Sequence, residues 1–259
     1  MHIFTSQGIV LNKLRYLESD LIVTIFSKDE GKLKAIVKGG ASSRKRFPGA
    51  FEAGNTGEFG FVDKNPYQLM HISHATVDNY FINLKKDYDK ILMLFYLLGI
   101  TDVMLPEHQS HTQLFDILLY TLYCLESGMG PGINNFLNQI RLFYELHLLK
   151  EIGLLRAVEK CESCGRPFSN DEVNLVIKTG KLICKSCITS NTEAYRIPAS
   201  LLRLIKTINS NDIDINRFLT VDIPSVIFSF TMRIMSAYID RPLKLWDMID
   251  KLLIQKIIY

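Results

Sequence analysis

Cys161 and Cys164, then Cys184 and Cys187, form two C-x2-C pairs separated by nineteen residues, and thiolates at that spacing can close a tetrahedral cage around zinc. Two residues between the members of a pair let both side chains turn inward from one tight loop. Two such loops supply four ligands and leave no coordination position for a substrate. The predicted centre is therefore structural Zn2+ held by Cys161, Cys164, Cys184 and Cys187. Two disulfides or a redox C-x2-C would use the same residues, but nothing in the chain suggests an oxidising compartment or a thioredoxin-like unit. The gap between the pairs reads as a hairpin: Gly165 and Pro167 turn, Val173, Leu175 and Ile177 alternate, and Thr179-Gly180 precedes Leu182 and Ile183. The fifth cysteine, Cys124, lies in an apolar helical stretch and reads as a buried core thiol.

A second chemistry is carried by charge. The chain has 30 Lys and Arg against 27 Asp and Glu, and six of those bases, Lys32, Lys34, Lys38, Arg44, Lys45 and Arg46, fall between Gly31 and Ala50 with no acid among them. With the six set aside, acids outnumber bases over the remainder. In G-K-L-K-A-I-V-K the apolar Leu33, Ala35 and Val37 alternate with the lysines, so a strand here is expected to bury one face and present three ammonium groups on the other. Gly39-Gly40-Ala41-Ser42-Ser43 then delivers Arg44-Lys45-Arg46 on a flexible loop bordered by Phe47 and Phe51. Clustered cations free of carboxylates gain affinity for phosphate backbones by releasing counterions, and neighbouring aromatics can stack on bases. Read singly, Phe47 and Phe51 are core residues, and a lysine-bearing strand can also be a solvated sheet edge.

Signs of catalysis are weak. His71 and His74 stand three apart on a predicted strand and face opposite ways, while His108 and His111 flank a polar connection; neither pair is joined by clustered carboxylates. No G-x4-G-K-[ST] loop is present, so ATP hydrolysis is not expected.

The elements that must position these groups follow from periodicity. Ile3 to Leu14, Asp20 to Ser27, Lys32 to Lys38, Phe51 to Val62 and Tyr67 to Val77 are rich in β-branched and aromatic residues and separated by turn signals, with Asp29-Glu30-Gly31 closing one hairpin. Five strands in some eighty residues predict an OB-fold barrel over residues 1–80. Beyond Phe81 the apolar spacing becomes three and four, through Leu84, Ile91, Phe95 and Leu98, then Leu114, Leu118 and Leu122, then Phe136, Ile140, Phe143 and His147 to a cap at Gly153. Helical patterns resume at Leu201 and from Pro224 to Tyr238. The expected class is α+β multidomain: the N-terminal barrel, an all-helical domain over 81–156 and 193–259, and a four-cysteine zinc module over 157–192 inserted in it. At 259 residues and 47% hydrophobic the chain can bury at least one full core. Its longest apolar run, Ile91 to Ile100, falls short of the roughly 20 residues a bilayer requires. The opening residues carry no secretory signature, so a cytoplasmic protein with no membrane partner is expected.

A basic barrel, a helical domain and an inserted cysteine module, in that order, resemble the RecO family of bacterial recombination mediators. The likeness is carried by E-S-D-L-I-V-T-I-F-S at Glu18 to Ser27, by G-K-L-K-A-I-V-K-G at Gly31 to Gly39 with its basic loop ending Arg46-Phe47, by Tyr144-Glu145-Leu146 leading to Leu148-Leu149 and Gly153, and by Arg241-Pro242-Leu243-Lys244. The last block continues as Leu245-Trp246 where serine is expected, and some relatives lack the cysteine quartet, so zinc cannot be essential to the shared activity.

The resemblance implies a non-enzymatic, nucleoid-associated DNA repair and recombination mediator. It would bind single- and double-stranded DNA, anneal complementary strands, contact the acidic C-terminal tail of single-stranded DNA-binding protein (SSB), associate with RecR and assist RecA loading on SSB-coated DNA. On that reading the six bases named above contact phosphates. Arg141, on the helix leading to Tyr144 and Glu145, is the candidate cation for the SSB tail. A zinc-ribbon adaptor of transcription or RNA metabolism is the alternative, since the same barrel and knuckle would serve it.

Overall fold

Alternating apolar residues in the first eighty positions meet around a common axis. The computed structural model describes residues 2–43, 46–64, 68–128, 133–154, 160–168, 173–208 and 215–239. Strands β1 (His2–Tyr16), β2 (Asp20–Ser27), β3 (Gly31–Val37), β4 (Thr56–Asp63) and β5 (Met70–Asn79) close into a barrel in the order β1-β2-β3-β5-β4. Neighbours are antiparallel except β3 and β5, which run parallel through Ala35 opposite Met70 and Ile36 opposite His71. This topology is OB-like. Val10, Val23, Ile25, Leu33, Ala35, Val37, Phe59, Phe61 and Ile72 fill the interior, and burying each larger side chain contributes roughly 1.5–3 kcal/mol.

The fourth strand starts at Thr56, five residues later than Phe51, the expected start. Phe51 is instead buried from a loop, tilted against Phe47 at 5.3 Å between ring centroids. Asn55 holds that loop, its buried side-chain amide donating to the carbonyls of Gly49 (2.8 Å) and Ala50 (3.3 Å).

Two compact units divide the chain, Met1–Gly128 and Met129–Tyr259. The first holds the barrel with helices α1 (Tyr88–Met104) and α2 (Thr112–Ser127). Leu84, expected to open the first helix, lies in a separate 3-10 turn over Leu84–Lys86, because Asp87 caps the start of α1 by accepting from the backbone N–H groups of Asp89 and Lys90. Phe26 of β2 meets Phe115 of α2 edge to face at 5.6 Å, and Cys124 is buried on α2 as expected. The connection from α1 to α2 crosses the start of β3. Gly31, at φ +72, must be glycine there, because a Cβ would lie 1.8 Å from the Gln109 carbonyl oxygen.

The second unit is built on α3 (Ile133–Glu151), whose described side chains are buried on nearly every side from Phe136 to Leu149. Gly153, at φ +73, ends it as the sequence predicts, with the Leu154 N–H returning to the Leu149 carbonyl at 2.8 Å. A three-stranded sheet, β7-β6-β8, follows from β6 (Val173–Val176), β7 (Leu182–Cys184) and β8 (Ala194–Arg196); α4 (Ala199–Thr207), α5 (Asn216–Leu219) and α6 (Phe228–Ile239) complete it. The Arg241–Lys244 block lies outside the described residues.

Candidate nucleic-acid interface and metal centre

The cysteine module is set by two tight turns and a hairpin. Gly165, at φ +73, lets its N–H reach back to the Cys161 carbonyl (2.9 Å), while the Cys161 N–H donates to the Arg166 carbonyl (2.8 Å). Gly180, at φ +62, turns the chain from β6 into β7, which ends at Cys184, and a 3-10 turn carries Cys187. The four Sγ atoms converge within 4.8 Å of one another. Cys161 to Cys187 and Cys164 to Cys184 are 3.8 Å apart, and Cys184 to Cys187 is 3.7 Å. A regular tetrahedron with metal–sulfur bonds of about 2.3 Å has edges of about 3.8 Å. A disulfide would need about 2.05 Å, and all four cysteines are free. The donor set could therefore hold a metal ion.

Electrostatics favour a cation at the centre. Burial raises the Cys161 thiol pKa, but N–H groups of Cys184 and Ser163, aimed at its sulfur from 3.3 and 3.4 Å, and a backbone contact with Cys164 bring it down to about 6. Cys187 moves the other way, to about 12, because the sulfurs of Cys184 and Cys164 crowd it. Ionised together, four thiolates in this space would need a shared positive charge.

The six predicted phosphate contacts separate. As expected, Leu33, Ala35 and Val37 point into the barrel. The opposite face of β3 is not the free cationic ridge predicted, because the α1–α2 connection lies over its first half. Lys32 is 7% exposed and donates to the Asp102 carbonyl, with the Asp102 carboxylate 3.3 Å away. Lys34 is bound to Glu107 at 2.6 Å. That hydrogen bond raises the Lys34 pKa and lowers the Glu107 pKa, burial opposing it on each side. Lys38, beyond the covered half, and Arg46 are exposed. Arg44 and Lys45 lie outside the described residues.

What remains in the described residues gathers near the start of β5. The Arg46 guanidinium stacks on the Phe47 ring at 4.7 Å and donates to the Ser73 carbonyl at 2.9 Å. Two strand positions away, burial and then the charges of Lys38 and Lys64 lower the pKa of His71, and the Asp20 carboxylate opposes them. Lys64 and His71 were missed as members of this patch. They are remote from the basic loop in sequence: β5 runs parallel beside β3 and brings His71 alongside it, and the antiparallel pairing of β4 with β5, Val62 opposite His71, brings the end of β4 and Lys64 there. Phe47 and Phe51, each 3% exposed, are core residues.

Arg141 is not a surface cation. It is 1% exposed, its Nε donates to Glu145 Oε1 at 2.7 Å, and its guanidinium lies 4.0 Å from the Phe228 ring centroid. The Thr231 hydroxyl donates to the other Glu145 oxygen at 2.5 Å, so Arg141 ties α3 to α6.

Sequence comparison assigns nearly the whole chain to one family. The family model "Recombination protein O N terminal" matches residues 1–81, and "Recombination protein O C terminal" matches residues 85–247. This chain belongs to the RecO family. The DNA repair protein RecO of Syntrophus aciditrophicus is 31% identical over 197 residues, covering 76% of this chain and 74% of that protein. RecO of Pelobacter propionicus is 31% identical over 208 residues, covering 80% and 81%, and that of Halalkalibacterium halodurans is 23% identical over 201 residues, covering 78% and 75%. Membership of the RecO family assigns the chain to DNA repair and recombination. Among the described residues no helix is long and apolar enough to cross a membrane.

Proposed function

We propose that this chain is a recombination mediator that binds single- and double-stranded DNA through an OB-fold barrel, anneals complementary strands and assists RecA loading on SSB-coated DNA, without catalysing a reaction. The observation that carries this reading is that exposed Lys38 and Lys64 act on His71, with Asp20 as the opposing acid there, two strand positions from the Ser73 carbonyl that holds exposed Arg46. Cations on a rigid barrel and its loop neutralise two mutually repelling backbones without engaging base edges, which annealing needs free. Lys32 and Lys34 belong to the proposed contact set only behind Asp102 and Glu107.

The four-cysteine module over 157–192 holds structural zinc, with Cys161, Cys164, Cys184 and Cys187 as ligands and no position open for chemistry. The barrel over 1–80 and the helices over 81–156 and 193–259 are its proposed companion domains. RecR and the acidic SSB tail are partners in a cytoplasmic, nucleoid-associated setting, and RecA is served indirectly. The burial of Arg141 leaves the tail to another cation.

Annealing of oligonucleotides coated with the cognate SSB, with and without the chain, tests the reading. Acceleration without strand cleavage or nucleotide consumption is expected. Charge reversal at Arg44, Lys45 and Arg46 should weaken single-strand binding and flatten a log–log salt slope of roughly −2 to −3. An unchanged slope removes the patch from the DNA site, and tighter binding of RNA than DNA of matched sequence favours the adaptor alternative.

A further inference from the structure

Two hollows on the first unit adjoin, because Lys13 and Glu52 line both. One, of about 300 Å3, lies between Arg15 on β1 and the basic loop at Gly40 and Ser43. The other, of about 530 Å3, lies between the barrel and α1, is mainly apolar, and is edged by Lys85 and Lys86. Tyr80, Ile82 and Phe95 line the second and are 42%, 57% and 43% exposed, which is unusual for three large apolar side chains in one place.

The exposure is built in. Between Tyr80 and Ile82, Phe81 is fully buried against Tyr123 at 5.3 Å and adopts φ +48, a left-handed conformation costly for a bulky residue. The anchored ring turns its two neighbours outward. Phe95 stands one helical turn beyond Ile91, which lines the same hollow. Lys85 is fixed by Asn55, accepting from its ammonium at 2.6 Å, and the same Asn55 donates to Gly49 and Ala50 in the basic loop. One buried amide thus couples the loop to the apolar hollow. Glu52 is paired with Lys13 at 2.5 Å, and Lys85 is held inward by Asn55 beside Glu52 and Glu126, so Arg15 and Lys86 are the exposed cations left to the track.

We propose that these hollows form one track for a single-stranded polynucleotide, running from the basic loop past Arg15 and Lys13 to a platform where unpaired bases stack on Tyr80 and Phe95, with Arg15 and Lys86 on the phosphates. Aromatic faces beside ammonium groups suit bases and phosphates in alternation. A duplex, whose bases are already stacked, gains nothing from the aromatic part. The inference rests on the DNA-binding reading above and deepens it: the loop attracts either form of DNA, and the track selects single strands.

The test uses the full chain, fluorescein-labelled oligo(dT) and a hairpin duplex in the same buffer. Both rings are exposed, so the double variant Tyr80→Ala/Phe95→Ala should fold. It is expected to weaken oligo(dT) binding about tenfold or more while duplex affinity stays within about twofold, and Tyr80→Phe/Phe95→Tyr should restore binding. Lys86→Glu should lower the single-strand salt slope by about 0.7. Unchanged oligo(dT) affinity in the alanine variant overturns the track, as does equal weakening on both DNAs. Loss of binding to a labelled acidic peptide, with DNA binding intact, overturns it in favour of a protein-docking groove. A wild-type chain that binds neither DNA sinks the parent reading instead, a result separable from all the others.

Discussion

Lys34 of β3 and Glu107 of the α1–α2 connection meet at 2.6 Å, so a strand that looks like a bare cationic ridge in sequence carries its own counter-charge in the fold. Both side chains are near 40% exposed, and a pair so open to water contributes less than about 1 kcal/mol. A phosphate can displace such a carboxylate. Lys32, by contrast, is enclosed with Asp102 and is structural.

Glu107→Gln should therefore tighten DNA binding about two- to fivefold and steepen the salt slope by up to about one, because Lys34 becomes free to meet a phosphate. Lys32→Met should leave both unchanged. Fluorescence titrations across a salt series give the two comparisons. The pair's small contribution to stability has a defined window: with the Glu107 pKa lowered, it is present above the unfolded carboxyl value near 4.5 and fades as pH falls through the folded one.

Arg141→Ala should destabilise the second unit by about 3–5 kcal/mol, since Glu145, with no exposed surface, would lose the buried guanidinium it is paired with. Replacing both, as Arg141→Met with Glu145→Leu, should recover much of that loss. Urea unfolding followed by circular dichroism measures both, and DNA affinity at 25 °C should be unaltered in the double variant.

His147 supplies a pH dependence. Burial, partly countered by its hydrogen bond to the Phe143 carbonyl at 2.7 Å, takes its pKa from 6.5 down to about 4. The folded state holds it neutral while the unfolded chain protonates near 6.5. Its contribution is therefore complete above that pH and is lost as pH falls towards 4, on the order of 3 kcal/mol in all. His147→Gln should flatten the difference in urea midpoint between pH 7 and pH 5 relative to the parent chain.

Metal should follow the quartet. The purified chain is expected to carry one zinc by elemental analysis, and Cys187→Ser should reduce it below about a tenth. Chelation should lower the melting temperature of the second unit while the barrel continues to bind DNA, because the six basic residues all lie in the first.

Much of this was legible because its causes are local. The C-x2-C spacing, the hairpin between the pairs, the glycine at 153 and the alternation in β3 depend on contacts within a few residues. The start of β4 was misplaced for a non-local reason: Phe51 has strand propensity, but the barrel interior takes its ring from a loop that Asn55 holds. Arg141 looked like a surface base because arginine is rarely buried, and its burial is compensated by Glu145 one turn on together with Phe228 and Thr231 from a distant helix.

By itself the sequence determined which groups exist and at what spacing: four thiols able to converge, a basic loop, a barrel-forming alternation and an apolar third helix. Tertiary structure alone decided which cations stay available. Charge is a property of the residue, but its reach into solvent depends on what the chain lays across it, and the α1–α2 connection crosses β3 at Gly31, covering Lys32 and engaging Lys34 while leaving Lys38 exposed.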